Sequence, residues 1–243
     1  MFVQAPSGAG GRARDGARER PDLAALAARA RPVSSAASRL LPLPAPLAPL
    51  FSDRALRRGS TTMVTGAPGA GATTLALTLL VGASRSGSWC GLVGLADPGV
   101  VAMAELGLDL LRLALVPAPG GAWAEAAATL LDGVDVVLVR APGRVGLTAG
   151  RLLSARAKER KSALVVLGAR AADWPEAPDL TVTVTGSTWV GIGTGHGHLR
   201  GRRAELSVTG RRSAGRETRH TVWLPAAAGA AAPLDAGHAG RSA

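Results

Sequence analysis

The chain has 243 residues, of which 47% are hydrophobic, enough to bury one sizeable core with residues left over for flanking segments. Its single cysteine, Cys90, excludes an internal disulfide framework and any cysteine-based zinc site. The net charge of +11 is unevenly spread: +6 over residues 1–60, zero over 61–199 and +5 over 200–243, so a neutral middle is flanked by basic ends.

Met1–Arg20 is Gly/Ala/Arg-rich without period and reads as disordered. Pro21 opens a short helix through Arg31, with Leu23, Leu26 and Ala27 on one side. In LLPLPAPLAPLF the prolines at 42, 44, 46 and 49 forbid a helix. That stretch is expected to be extended and to lie against the surface of a domain spanning residues 52–225. A turn at Arg58-Gly59-Ser60 leads to the strand TTMVT, and a glycine-rich turn then feeds a helix over Thr73–Ala83.

The remaining pattern alternates. Strands are predicted at Trp89–Leu95, Leu113–Val116, Val134–Val139 and Ala163–Leu167, with helices at Val100–Leu106, Ala122–Leu131 and Gly150–Arg160 between them. Strands that are apolar throughout and alternate with helices imply a parallel sheet covered on both faces, hence an α/β fold. Leu180–Val184, Trp189–Ile192, Ala204–Val208 and Thr221–Leu224 alternate in polarity with no helix between them, which predicts an antiparallel meander appended to that sheet. Residues 226–243 are Ala/Gly-rich and read as a disordered tail. No signal-peptide pattern opens the chain and no apolar run approaches about 18 residues, so a cytoplasmic protein without membrane contact is expected.

The stretch Thr61–Thr74, TTMVTGAPGAGATT, carries the main chemical signal. Gly66, Gly71 and Thr73 stand where the phosphate-loop pattern places its glycines and hydroxyl, with Gly69 and Thr74 completing a vestigial nucleotide-binding set, but the lysine position is Ala72. Backbone N–H groups and a helix start can still cradle phosphate. The full positive charge at a transferred phosphoryl group is missing. The strand VDVVLV should end in a magnesium-binding aspartate and instead runs into Arg140, while Gly94-Leu95-Ala96 offers no catalytic glutamate. Asp135 begins that strand, far from the loop, and Asp97 sits in a turn fragment with Pro98 and Gly99. A catalytically dead site follows, with no cofactor; in a second reading Arg140 supplies the missing cation from another direction.

The order of these pieces resembles the RecA family of recombinases over Ser52–Pro225: ALRRGST, the loop GAPGAGATT, AELGLDLLRLALVPAPG, and VDVVLV after a helix. Within that family GSWCGLVGLADPGVVAMAELG, DGVDVVLVRAPGRV and TWVGIGTGHGHLRGRR look like the actinobacterial ImuA-type accessory proteins of the mutagenic translesion machinery. The resemblance implies a RecA-like P-loop domain working in SOS-induced DNA repair and error-prone translesion synthesis. Its implied partners are a Y-family polymerase homologue and an error-prone replicative-type polymerase, with DNA a further one. The departures at Ala72 and Arg140, and the short connections APGRVGLTAG and ARAADWPEAPD, put ATP-driven filament formation in doubt. The expected function is a non-catalytic adaptor; the alternatives are a divergent ATP-binding repair ATPase, or a regulator of recombinase filaments or cell division.

Several side chains are weighed for nucleic-acid or partner contact. Arg200, Arg202 and Arg203, with Arg211 and Arg212 beyond the strand AELSV, form a basic patch able to contact phosphates, and arginines on an edge strand equally prevent edge pairing. His196 and His198 alternate, but the glycines around them point to a hairpin turn rather than a metal site. Of the five tryptophans, most are expected in the core. Trp174, in the loop AADWPEAP, is the one expected to be exposed as an interface anchor.

Overall fold

The computed structural model describes residues 39–192, 197–211, 216–226 and 229–233. Two short strands, β1 (Leu40–Pro42) and β2 (Ala55–Arg57), pair antiparallel. The other nine described strands form one sheet, β3 (Thr61–Gly66), β4 (Cys90–Val93), β5 (Leu113–Val116), β6 (Val136–Arg140), β7 (Ala163–Gly168), β8 (Leu180–Ile192), β9 (Gly197–Gly210), β10 (Thr218–Trp223) and β11 (Ala232–Pro233), in the order β11-β10-β9-β8-β3-β7-β6-β4-β5. Pairing is parallel from β8 through β3, β7, β6 and β4 to β5, and antiparallel from β8 outward through β9 and β10 to β11. The fold is therefore α/β, with a mostly parallel sheet and an antiparallel extension.

Alternation along the strands divides the interior. In β6, Val136 and Leu138 join one apolar cluster and Val137 and Val139 the other; in β7 Ala163, Val165 and Leu167 part from Leu164 and Val166 in the same way. Helix α1 (Ala72–Arg85) puts Leu75, Leu79 and Leu80 into the first cluster, beside Met103 and Leu106 of α2 (Val100–Leu106). On the other face, α3 (Trp123–Gly133) contributes Ala127 and Leu131, and α4 (Leu147–Arg160) contributes Leu153 and Ala157. Because both faces are covered, β4, β6 and β7 read as nearly unbroken apolar runs.

The proline-rich stretch is not a coat on the domain surface. Leu41, Leu43, Leu47, Leu50 and Phe51 are all buried in the first cluster, Ala48–Leu50 forms a 3-10 turn, and the Pro42 carbonyl packs so closely on α1 that a methyl group on Gly82 would collide with it. A boundary at residue 52 would thus cut through the core. The C-terminal stretch is also more ordered than composition implied: Ala226 is buried, and Ala232–Pro233 pairs with Val222 and Trp223. Residues 193–196 and 234–243, the predicted helix from Pro21 and the segment Met1–Arg20 lie outside the described residues.

Two predicted strands, Leu180–Val184 and Trp189–Ile192, are one strand of 13 residues, β8. Register shifts between Val184 and Gly186, and between Val190 and Ile192, absorb the irregularity without ending the ladder. Gly191 at the second shift has φ +113°, in the left-handed region.

Candidate functional site: a glycine-rich loop met by Arg202

Strand β3 lies in the middle of the sheet, between β7 and β8, both parallel to it. The loop that follows it therefore opens at the carboxyl ends of the parallel strands, where ligands of open α/β sheets bind. Gly69 (φ +78°) and Gly71 (φ +106°) take left-handed backbone that a side chain disfavours, and an Ala70 N–H to Ala67 carbonyl bond of 3.0 Å closes the turn that contains Gly69. The first helical bond of α1 runs from the Leu75 N–H to the Gly71 carbonyl at 3.0 Å. Gly71 caps α1 without a side-chain hydrogen bond, and the first turn carries no acidic residue. The amides there keep the positive end of the helix dipole uncompensated.

Ala72, at the lysine position, is buried against the first cluster. Thr73 and Thr74 are half-buried, and the Thr74 carbonyl accepts from the Thr78 hydroxyl at 2.7 Å. At the base of the loop the Thr65 and Thr183 hydroxyls share a 2.8 Å hydrogen bond. Gly66 is confined, since a Cβ there would lie 3.2 Å from Val184 and 3.3 Å from Ala72.

The cation that reaches this loop is Arg202 of β9. The residue is 5% exposed. Nε donates to the Leu224 carbonyl at 2.8 Å, Nη1 to the Gly69 carbonyl at 3.4 Å, and the guanidinium stands 5.1 Å from the centroid of the Trp189 ring. Two backbone bonds hold the strand in place, from the Arg202 N–H to the Pro225 carbonyl at 2.9 Å and from the Leu224 N–H to the Arg202 carbonyl at 2.7 Å. Nη2 is buried with no hydrogen-bond partner and fills the space in which a side chain on Gly71 would sit. Burial pushes the Arg202 pKa below its ordinary value.

Arg140, the other cation considered for that role, ends β6 as an exposed residue. Asp135 is taken up structurally: it accepts from the Trp89 N–H at 2.8 Å and pairs with Arg58 at 2.7 Å. Asp97 is exposed. Among the described residues no group of three or more His, Cys, Asp or Glu side chains could hold a metal ion.

The basic patch divides. Arg202 turns inward, Arg200 and Arg211 are exposed, and Arg203 is exposed with a 3.9 Å ion pair to Glu205. Arg212 and His196 lie outside the described residues, and His198 is exposed. Trp174 is not an exposed anchor: it is 4% exposed, packed in the second cluster, with Nε1 unpartnered. The Val145 N–H to Asp173 carbonyl bond of 2.8 Å folds its loop inward, and Pro175 packs against Gly150 of α4. Trp223 is buried and Trp123 half-buried, whereas Trp89 and Trp189 are the exposed ones. Sequence reasoning missed the inward turn of Arg202. The run HLRGRR holds three arginines, and only the bulge-shifted pairing of Trp189 with Arg202 decides which one enters.

No helix of the described residues is long and apolar enough to cross a membrane. A relative in Mycobacterium tuberculosis (strain ATCC 25618 / H37Rv), uncharacterized protein Rv3395c, is 38% identical over 97 residues, which are 40% of this chain and 48% of that protein. The chain thus spans about half the length of that relative. A sequence model of the MT3502 N-terminal domain matches residues 49–176, from the proline-rich segment through α4, β7 and the Trp174 loop, and ends before the strand that supplies Arg202. By that match, the chain belongs to the MT3502 N-terminal domain family.

Proposed function

We propose that this protein is a non-catalytic RecA-like accessory protein of the ImuA type. In this reading it acts in damage-induced, error-prone translesion synthesis by contacting a Y-family polymerase homologue and an error-prone replicative-type polymerase. One observation carries the reading: a glycine-rich loop follows the central parallel strand, as in a phosphoryl-transfer domain, yet Ala72 is buried at the lysine position and Arg140 closes β6 in place of an acid. Phosphoryl transfer depends on fixed charge at the moving group and on a held metal ion. A scaffold that keeps the loop and lacks both is suited to binding rather than turnover. The basic ends of the chain fit an anionic surface, DNA included.

Co-purification of the tagged protein from DNA-damaged cells, with associated proteins identified by mass spectrometry, tests the reading. Recovery of the polymerase homologue in the presence of nuclease is expected. Recovery of neither polymerase from cells shown to contain both would sink it. A second expectation is that purified protein releases no phosphate from ATP and magnesium above the buffer rate. Turnover abolished by Gly71→Ala would instead favour a divergent ATPase.

A further inference from the structure

We propose that the glycine-rich loop and Arg202 together form a site for a phosphate-bearing anion, taken up without a metal ion. The proposal goes beyond the adaptor reading and does not rest on it.

Three sources of positive potential converge there. The loop turns through two left-handed glycines of the kind that build anion-binding nests, α1 begins with no side-chain cap and no acidic residue in its first turn, and Arg202 adds a full charge. Nothing negative answers them: among the described residues no carboxylate pairs with Arg202, although the residue is only 5% exposed. A buried cation without a counter-ion is costly, and native structures pair such charges.

The donor count of the guanidinium points the same way. Nε is used on the Leu224 carbonyl and Nη1 on the Gly69 carbonyl, which leaves Nη2 buried and without an acceptor beside Gly71. A buried unpartnered donor in a native fold calls for an ion or water to complete it. A phosphate oxygen does so, because the planar fork of a guanidinium and the amides of a glycine-rich turn both match tetrahedral oxyanions. The cation comes from β9, not from the loop, so no lysine at position 72 is needed. With Arg202 supplying the charge, the site requires no divalent ion.

Trp189 beneath Arg202 makes uptake visible. The full chain, in buffer with EDTA, is titrated with inorganic phosphate, pyrophosphate and ADP in turn, read by tryptophan fluorescence and by calorimetry. Saturable binding is expected, unchanged when magnesium replaces EDTA. Arg202→Met and Gly71→Ala should each weaken it about tenfold or more, the loss of one charged hydrogen bond or of the room it needs. Arg202→Lys should retain part. Circular dichroism checks that the variants fold; should Arg202→Met not fold, Thr73→Val, a half-buried position in the first turn of α1, should still weaken binding severalfold. Equal affinity for pyrophosphate and ADP would identify the phosphate group alone as the ligand, and tighter ADP binding a nucleotide; either supports the site. Absence of saturable binding to the folded wild type, binding that Arg202→Met leaves unchanged, or binding seen only in Arg202→Met would overturn it, the last by showing that the guanidinium closes the loop against anions.

Discussion

Trp174 and Arg202 are both buried side chains with a nitrogen that meets no acceptor among the described residues, and their settings differ. Trp174 lies in an apolar cluster with Val139, Val145, Leu153 and Val166, where its ring supplies packing. Trp174→Ala should cost about 3–5 kcal/mol in chemical denaturation. Trp174→Phe, which keeps most of the ring and removes the orphaned N–H, should cost far less. Cys90 is a third buried group, its thiol pushed up to about 12 by burial first and by the Asp135 charge second. A thiol-specific reagent at pH 8 should leave native Cys90 unmodified and react fully once denaturant is added. Rapid labelling of the native protein would contradict that burial.

At the scale of elements, the segment before residue 52 is the clearest departure from what the residues implied. The prolines exclude an α-helix but not the 3-10 turn at Ala48–Leu50, and five large apolar side chains around them belong to the core, with Gly82 the place where α1 accepts their backbone. A chain starting at Ser52 should therefore melt well below one starting at Ser35, or fail to fold, in a thermal unfolding experiment. Gly82→Val should destabilise the longer chain by about 1–3 kcal/mol through overpacking against Pro42. The βα alternation was legible because strands such as β6 and β7 are apolar on both faces and helices carry their own punctuation, such as Gly107 after α2. Strand β8 was legible only in pieces, because bulges hide continuity from any fixed period. The loop and its missing lysine were legible as well, since the pattern is local. Arg202 was not, because its partner residues Gly69, Trp189 and Leu224 are distant in sequence and meet only through sheet pairing.

For the whole molecule, charge is arranged as local pairs in the middle and as surplus at the ends. Asp132 of α3 takes hydrogen bonds of 2.6 and 2.7 Å from Arg156 of α4 and an ion pair of 3.1 Å from Arg160. The Arg156 hydrogen bond, more than any other influence, holds the Asp132 carboxyl below the usual carboxylate range. A carboxylate with a lowered native pKa stabilises the fold above its unfolded pKa, near 4, and loses that effect as pH falls through the native one. Asp132→Asn should therefore lower the melting temperature slightly at pH 7 and narrow its gap to the wild type below about pH 4. The pair is exposed, so the difference should also shrink in high salt.

The central position of β3 has a consequence for how the protein is made. Both of its neighbours come from far along the chain: Thr61 pairs with Leu164 of β7, and on the β8 side its N–H bonds the Asp179 carboxylate while Thr65 meets Thr183, each of these 118 residues away. Strands β4, β5 and β6 can assemble with their helices soon after synthesis, but β3 has nothing to pair with until β7 and β8 leave the ribosome. At about 5–20 residues per second, that is a wait of roughly 6 to 24 s with a strand that is buried in the finished fold left unshielded. Closing such a long loop is also the slow kind of step in folding. The strand that comes first in the sheet's sequence is thus among the last to be completed, and the nascent chain is most open to chaperones, and to aggregation, until the β8–β9 arm arrives to seal it.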